Sequence, residues 1–215
     1  RNITIFSRPT ADFNTPDSTC GPASIIPNNT SLGNGLAYNW SINPIAGINN
    51  LSLALPTISL PVRFSDSLIY RLELEITDIN GCTDSTSSTF ILYPKPTASF
   101  SSSNTDSCGD LTVQFSNNST PNNGLETIAD MSFLWSFGNG QSSSTQDPAA
   151  TFTNSGVVDS LYIVELISFS PHSCADTAYD TITVYPNPNA EFSASNQADC
   201  FPFSIDSNII TTTIF

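Results

Sequence analysis

The residues best suited to chemistry in this chain are its five cysteines, and their spacing sorts them into two types. Cys20, Cys108 and Cys200 follow one another at 88 and 92 residues, and a second type, Cys82 in DINGCTDS and Cys174 in SPHSCADT, repeats at 92. Thiols in such register either oxidise in pairs or ligate a metal. The two ladders predict one disulfide per complete repeat, Cys20 to Cys82 and Cys108 to Cys174, with the partner of Cys200 outside the chain. Metal ligation is the competing chemistry, although no CxxC pair or Cys/His cluster accompanies these cysteines. The closed loops would span 62 and 66 residues, and each bridge would stabilise its repeat by about 4 kcal/mol in the chain-entropy model. Bridges of this kind place a protein outside the cytosol.

Other reactive groups are sparse. His172 is the only histidine; its SPHSC context reads as a polar loop rather than a catalytic base, and no second imidazole exists to serve a hydroxyl or thiol nucleophile. Glu73 and Glu75 fall on the outward face of one strand, where they read as solvated charge and not as an acid–base couple. No phosphate-binding glycine loop occurs. Asp78, Asn80 and Asp84 surround Cys82 with oxygen donors that suit calcium, yet the D-x-D-x-D spacing fails where Cys82 stands. Ordinary turn chemistry, with Asp and Asn bonding their own backbone, competes with the calcium reading. The sequence therefore predicts no enzyme, and calcium is the one cofactor candidate.

Composition narrows the partners. Five Lys and Arg against nineteen Asp and Glu give a net charge of −14, while only 11% of residues are charged. A chain so poor in cations has no footprint for nucleic acid, nor for an anionic membrane surface. No apolar run reaches the length of a membrane span, and no basic-then-apolar leader opens the chain. At 39% apolar residues it can still build packed cores.

The elements that must position these residues follow a repeat of about 90 residues. The phrase YPKPTASF (Tyr93 to Phe100) recurs as FSRPTADF (Phe6 to Phe13) and YPNPNAEF (Tyr185 to Phe192). It divides the chain into residues 1–7, the last strand of a preceding repeat; 8–93 and 94–185, two complete repeats; and 186–215, the start of a third. Read this way, the chain is a window on a longer array. In IYRLELEIT, Tyr70, Leu72, Leu74 and Ile76 alternate with Arg71, Glu73 and Glu75, which is the period of a half-buried strand. LYIVELIS is its counterpart, with Tyr162, Val164 and Leu166 on one face, and TFILY and TITVY supply the partner strands. LTVQFSN and MSFLWSFGNG add two more, the latter closed by a tight turn at Asn139-Gly140. Trp40 and Trp135 hold corresponding positions within strands and read as core. The expected fold is all-β: tandem immunoglobulin-like sandwiches. Pro94 and Pro96 set φ near −65° and bias Lys95 towards extended backbone, so the junction between repeats reads as stiff.

Taken together, CGDLTVQFSN, FLWSFGNG, DPAATF, VVDSLYIVEL, a late cysteine and ITVYPNPNAEF resemble the polycystic-kidney-disease (PKD) domain, in the cysteine-bearing form of secreted Bacteroidetes surface proteins and adhesins. Trp135, Phe137, Gly138 and Gly140 match that family's W-x-F-G-D-G signature, with Asn139 where Asp is usual, whereas Trp40-Ser41-Ile42-Asn43-Pro44 keeps only the Trp. Asp followed by Ser or Thr and then an apolar residue or Thr looks like the O-glycosylation acceptor motif of the same bacteria, which marks Ser18, Ser67, Ser85, Ser160, Thr177 and Thr181 as acceptors. The resemblance implies a non-catalytic section of a long extracellular stalk, filament or cell-surface adhesin, of the kind associated with gliding motility. Its partners would be neighbouring repeats, surface glycans or other cells, and further copies in a filament. The alternative it leaves is a carbohydrate- or protein-binding accessory module of a secreted hydrolase.

Overall fold

The computed structural model describes residues 3, 5–63, 65–122, 124–188, 190–191 and 213–214. Cys200 and most of the expected third repeat lie outside the described residues. The chain is all-β, with one short 3-10 turn at Ile128–Asp130 among the described residues. It divides into two compact units: residues 1–99 with 118–133 and 167–177, and residues 100–117 with 134–166 and 178–215. The boundary between the two sequence repeats, at 93/94, falls inside unit 1.

Unit 1 is built on a four-stranded sheet in the order Ser18–Cys20, Thr83–Tyr93, Leu68–Thr77, Ala37–Asn43. The long hairpin forms because Tyr70, Leu72, Leu74 and Ile76 alternate with exposed residues and pair in register from Leu68↔Leu92 to Thr77↔Thr83. A second layer comes from Ala23–Ile25, Ile58–Leu60 and Gly47–Ile48, with Phe13–Asn14 paired to Asn28–Asn29. Trp40, Tyr70, Leu72, Leu74, Ile76, Phe90 and Leu92 from the first layer and Phe13, Ile25, Ile58 and Leu60 from the second share one buried cluster. Two layers closing on one apolar core are a β-sandwich.

Unit 2 repeats the plan. A three-stranded sheet, Phe100–Ser102, Leu111–Asn117 and Ala149–Phe152, belongs to it, as does most of a five-stranded sheet ordered Asp106–Cys108, Ala175–Tyr185, Ser160–Phe169, Ser132–Ser136, Ser142–Ser143. Val113, Phe115, Trp135, Phe137, Phe152, Val164, Leu166, Ile182 and Val184 are buried.

Both tryptophans are held alike. Trp40 is 1% and Trp135 0% exposed; their indole N–H groups donate to Leu53 O at 2.9 Å and to Thr145 O at 3.0 Å. Phe13 and Phe100, the closing residues of the recurring phrase, meet these indoles edge-on with centroids 5.0 Å apart in each case, an arrangement that aromatic quadrupoles favour. The phrase thus recurs partly because its phenylalanine seats each tryptophan.

The turn after Trp135 differs in one detail from the expectation. Positive φ falls on Gly138 (71°) and Gly140 (85°), not on Asn139. Asn139 instead accepts the Gln141 N–H at 2.9 Å and donates to Thr151 O at 2.9 Å, the bracing role its side chain can play without leaving ordinary backbone. In the first repeat, which lacks those glycines, the corresponding strand ends at a cis Asn43–Pro44 peptide.

Candidate functional site

A set of polar and covalent contacts gathers in unit 1 around the segment Tyr93 to Ala98. Tyr93 ends the strand Thr83–Tyr93, and its carbonyl accepts the Gly21 N–H at 3.0 Å. Its ring stacks on His172, centroids 3.6 Å apart and 11° from parallel, while His172 Nε2 lies 3.2 Å from Glu126 Oε1. Next along the chain, Lys95 O accepts from Asn122 Nδ2 at 2.9 Å, and the same amide donates to Thr97 Oγ1 at 2.7 Å. Thr97 forms a bridge with Thr120. The Ala98 N–H donates to Asp176 Oδ2 at 3.0 Å, and Lys95 Nζ stands 3.8 Å from the other oxygen of that carboxylate. With two prolines and partners on the Tyr93 and Lys95 carbonyls, the Thr97 backbone and the Ala98 N–H, the segment has little of the freedom of a flexible linker.

One covalent bond completes the site, and it corrects the expected pairing. Cys20 is bonded to Cys174, with Cα atoms 5.5 Å apart, whereas Cys82 and Cys108 are free thiols. Sheet geometry explains why Cys20 does not meet Cys82. The strand Ser18–Cys20 runs parallel to the end of the long strand, with Cys20 opposite Tyr93. Cys82 immediately precedes the start of that strand at Thr83. The ten residue steps from Thr83 to Tyr93 span about 33 Å at strand rise, and a disulfide tolerates a Cα separation of only about 7 Å. Cys108 stands in the same relation to its own long strand, opposite Tyr185, so the expected Cys108–Cys174 bridge is likewise replaced. Cys174 is 1% exposed.

The calcium candidates are engaged with the protein itself. Asp78 is buried, and its Oδ1 accepts the N–H groups of Asn80 at 2.9 Å and Cys82 at 2.8 Å. Asp84 accepts the Ala11 N–H at 2.8 Å and pairs with Arg8 at 2.9 Å. The Ala11 hydrogen bond, followed by the Arg8 charge, holds the Asp84 carboxyl below its ordinary range. Among the described residues, no group of three or more His, Cys, Asp or Glu is arranged to hold a metal ion. Glu73 and Glu75 are exposed on the outer face of their strand, Glu75 near Asn39 Nδ2 at 3.4 Å. Of the hydroxyls singled out as glycan acceptors, Ser18, Ser67, Ser85, Thr177 and Thr181 are exposed and Ser160 is half-buried.

Sequence reasoning missed the stack of His172 on Tyr93 and the pairing of Arg8 with Asp84. A signal for the second was available: RPTA and KPTA each put a cation, Arg8 or Lys95, two residues ahead of the phrase's threonine, and each of Cys82 and Cys174 is followed two residues on by an aspartate.

No family model matches the chain, and no curated protein matches it. Among solved structures it is similar to the PKD1 domain of Vibrio anguillarum Epp, at 24% identity over 44% of this chain and 98% of that one, with a TM-score of 0.34. It is similar also to the PKD1 domain from the Vibrio cholerae metalloprotease PrtV, at 29% identity over 42% and 98%, TM-score 0.31. Titin domains I67–I69 align at 13% identity over 89% of this chain and 69% of that one, TM-score 0.41. These neighbours are PKD and immunoglobulin domains by name; the two-layer all-β architecture described above stands on its own strands and cores.

Proposed function

We propose that this chain is a non-catalytic structural section of an extracellular stalk, filament or cell-surface adhesin, built from tandem PKD-like repeats with boundaries near residues 8, 94 and 186. The observation that supports this reading most is the segment Tyr93–Ala98. Where two repeats of one polypeptide meet, a chain that needs only to tether carries Gly and Ser and leaves its backbone solvated. Here the joining residues are prolines, a stacked tyrosine and hydrogen-bonded backbone, beside a disulfide that closes over 154 residues. Such a junction transmits force and resists proteolysis. The disulfide fits an oxidising, extracellular setting, and the exposed Asp-Ser and Asp-Thr hydroxyls fit a glycan-covered surface. Neighbouring repeats are its first partners, with surface glycans or other cells engaged elsewhere along the stalk.

The test is immunogold labelling of the producing cells with antibodies raised against this chain. Label along fibres outside the cell is expected. Label confined to a soluble secreted hydrolase carrying this chain as an appendage would overturn the reading.

A further inference from the structure

The two free cysteines are not isolated thiols, because each occupies the place of a bonded one. Cys20 ends a three-residue strand parallel to the close of a long strand, opposite Tyr93, and the next residue, Gly21, donates its N–H to Tyr93 O at 3.0 Å. Cys108 ends a three-residue strand parallel to the close of the other long strand, opposite Tyr185, and Gly109 donates to Tyr185 O at 3.1 Å. The backbone that presents the bonded early cysteine is reproduced at the free one.

The late cysteines match as closely. Cys174 closes a turn in which Ser170 N donates to Cys174 O at 2.8 Å and Ser173 N to Ser170 O at 2.9 Å, with Ser173 at φ 62°. Cys82 closes the same turn: Asp78 N to Cys82 O at 2.9 Å, Gly81 N to Asp78 O at 3.0 Å, Gly81 at φ 81°. Two residues on, Asp176 holds Ala98 N and Lys95, and Asp84 holds Ala11 N and Arg8. The segment Arg8–Ala11 therefore lies against the Cys82 turn as Lys95–Ala98 lies against the Cys174 turn. Phe6 holds the sequence place of Tyr93, and Asn80 that of His172. Around Cys82 the turn, the aspartate and the segment that the aspartate holds are those found around the bonded Cys174; the stacked ring pair and the early cysteine are what differ.

We infer that Cys82 and Cys108 are the two halves of the same bridge carried one repeat further in each direction. Cys108 bonds the late cysteine of a following repeat, and Cys82 the early cysteine of a preceding one. The partner is thus another repeat of this type, and the array is laced by disulfides offset by one repeat, each joining an early cysteine to the late cysteine of the next. This deepens the stalk reading, on which it rests for its setting. Cys108 is exposed and Cys82 half-buried, so both are within reach of such a partner. A second copy of this chain presents both halves, so Cys108 of one copy is complementary to Cys82 of another, head to tail. Forming the bond removes two protons and two electrons from the pair of thiols; oxidised glutathione accepts the electrons and leaves as two thiols.

The experiment uses the whole chain with Cys200→Ser as background, oxidised by glutathione disulfide at high protein concentration. It is read by non-reducing electrophoresis and by mass spectrometry of linked peptides. The background chain should give a ladder of dimers, trimers and longer species joined through Cys82–Cys108, with Cys20–Cys174 intact throughout. Adding Cys82→Ser or Cys108→Ser should leave each variant monomeric. Mixing those two variants should give a dimer at least tenfold more abundant than either forms alone, and nothing larger. Symmetric Cys82–Cys82 or Cys108–Cys108 links, a bond between Cys82 and Cys108 of one copy, or monomers with both thiols still titratable would each overturn the inference. None of these outcomes moves the immunogold label, so the stalk reading fails or stands separately.

Discussion

Pulling a single chain between Arg1 and Phe215 reads the disulfide pairing as a length. A bridge of sequence separation 154 hides that many residues from the applied force, so 215 − 154 = 61 residues extend in the oxidised chain. At about 3.5 Å per extended residue the contour is about 210 Å, against about 750 Å for the reduced chain. Bridges confined within each repeat would hide 62 and 66 residues and leave 215 − 62 − 66 = 87, a contour of about 300 Å. Force–extension traces from an atomic-force microscope or optical trap resolve that difference. Cys20→Ser should give the full length without reductant, and Cys82→Ser should leave about 210 Å unchanged. In solution the same bridge removes about 5 kcal/mol of denatured-state entropy by the loop-length relation, so Cys20→Ser should also lower the urea midpoint of the transition followed at Trp40. An oxidised contour of about 300 Å, or one indifferent to Cys20→Ser, would falsify the pairing and the junction built on it.

Three further outcomes are expected. Leu72→Ala removes a fully buried side chain from the core of unit 1 and should cost 2–5 kcal/mol, measured by urea denaturation. Gly138→Ala sets a Cβ 2.7 Å from Ile163 O at φ 71° and should cost about 2 kcal/mol or more, with loss of the near-ultraviolet signal of Trp135. The Asp84 carboxyl is held below its ordinary value of 3.8 by Ala11 and Arg8. A depressed carboxyl contributes stability above the unfolded value that is lost as pH falls through the folded one. Asp84→Asn should therefore flatten the stability–pH profile below about pH 4 and leave its shape above pH 5 unchanged, as followed by thermal melts.

What the sequence made legible was whatever depends on neighbours along the chain. Strict alternation through Tyr70, Leu72, Leu74 and Ile76 declares one buried face, and the burial of the strand Leu68–Thr77 follows it residue for residue. Trp40 and Trp135 were readable as core because each sits at the inward phase of such a strand. The disulfide pairing was not readable, because it depends on a strand of three residues, Ser18–Cys20, lying parallel to residues more than seventy positions later. Repeat spacing shows that cysteines correspond, and says nothing of which end of a strand each occupies. His172 escaped for a similar reason: a lone imidazole in a polar loop carries no mark of the tyrosine ring it covers.

The parallel strand that carries Cys20 also sets an order of events. As the chain emerges from its N-terminus, Cys82 appears 62 residues after Cys20, and Cys174 only after 154. Chance collision in an unfolded chain would favour the earlier thiol, since the shorter loop closes at lower entropy cost. Once the hairpin of Leu68–Thr77 and Thr83–Tyr93 has formed, Cys20 and Cys82 stand at opposite ends of it, and the early error is no longer within reach. The sheet is thus the chain's own proofreader, and oxidation that outruns its folding yields the wrong isomer.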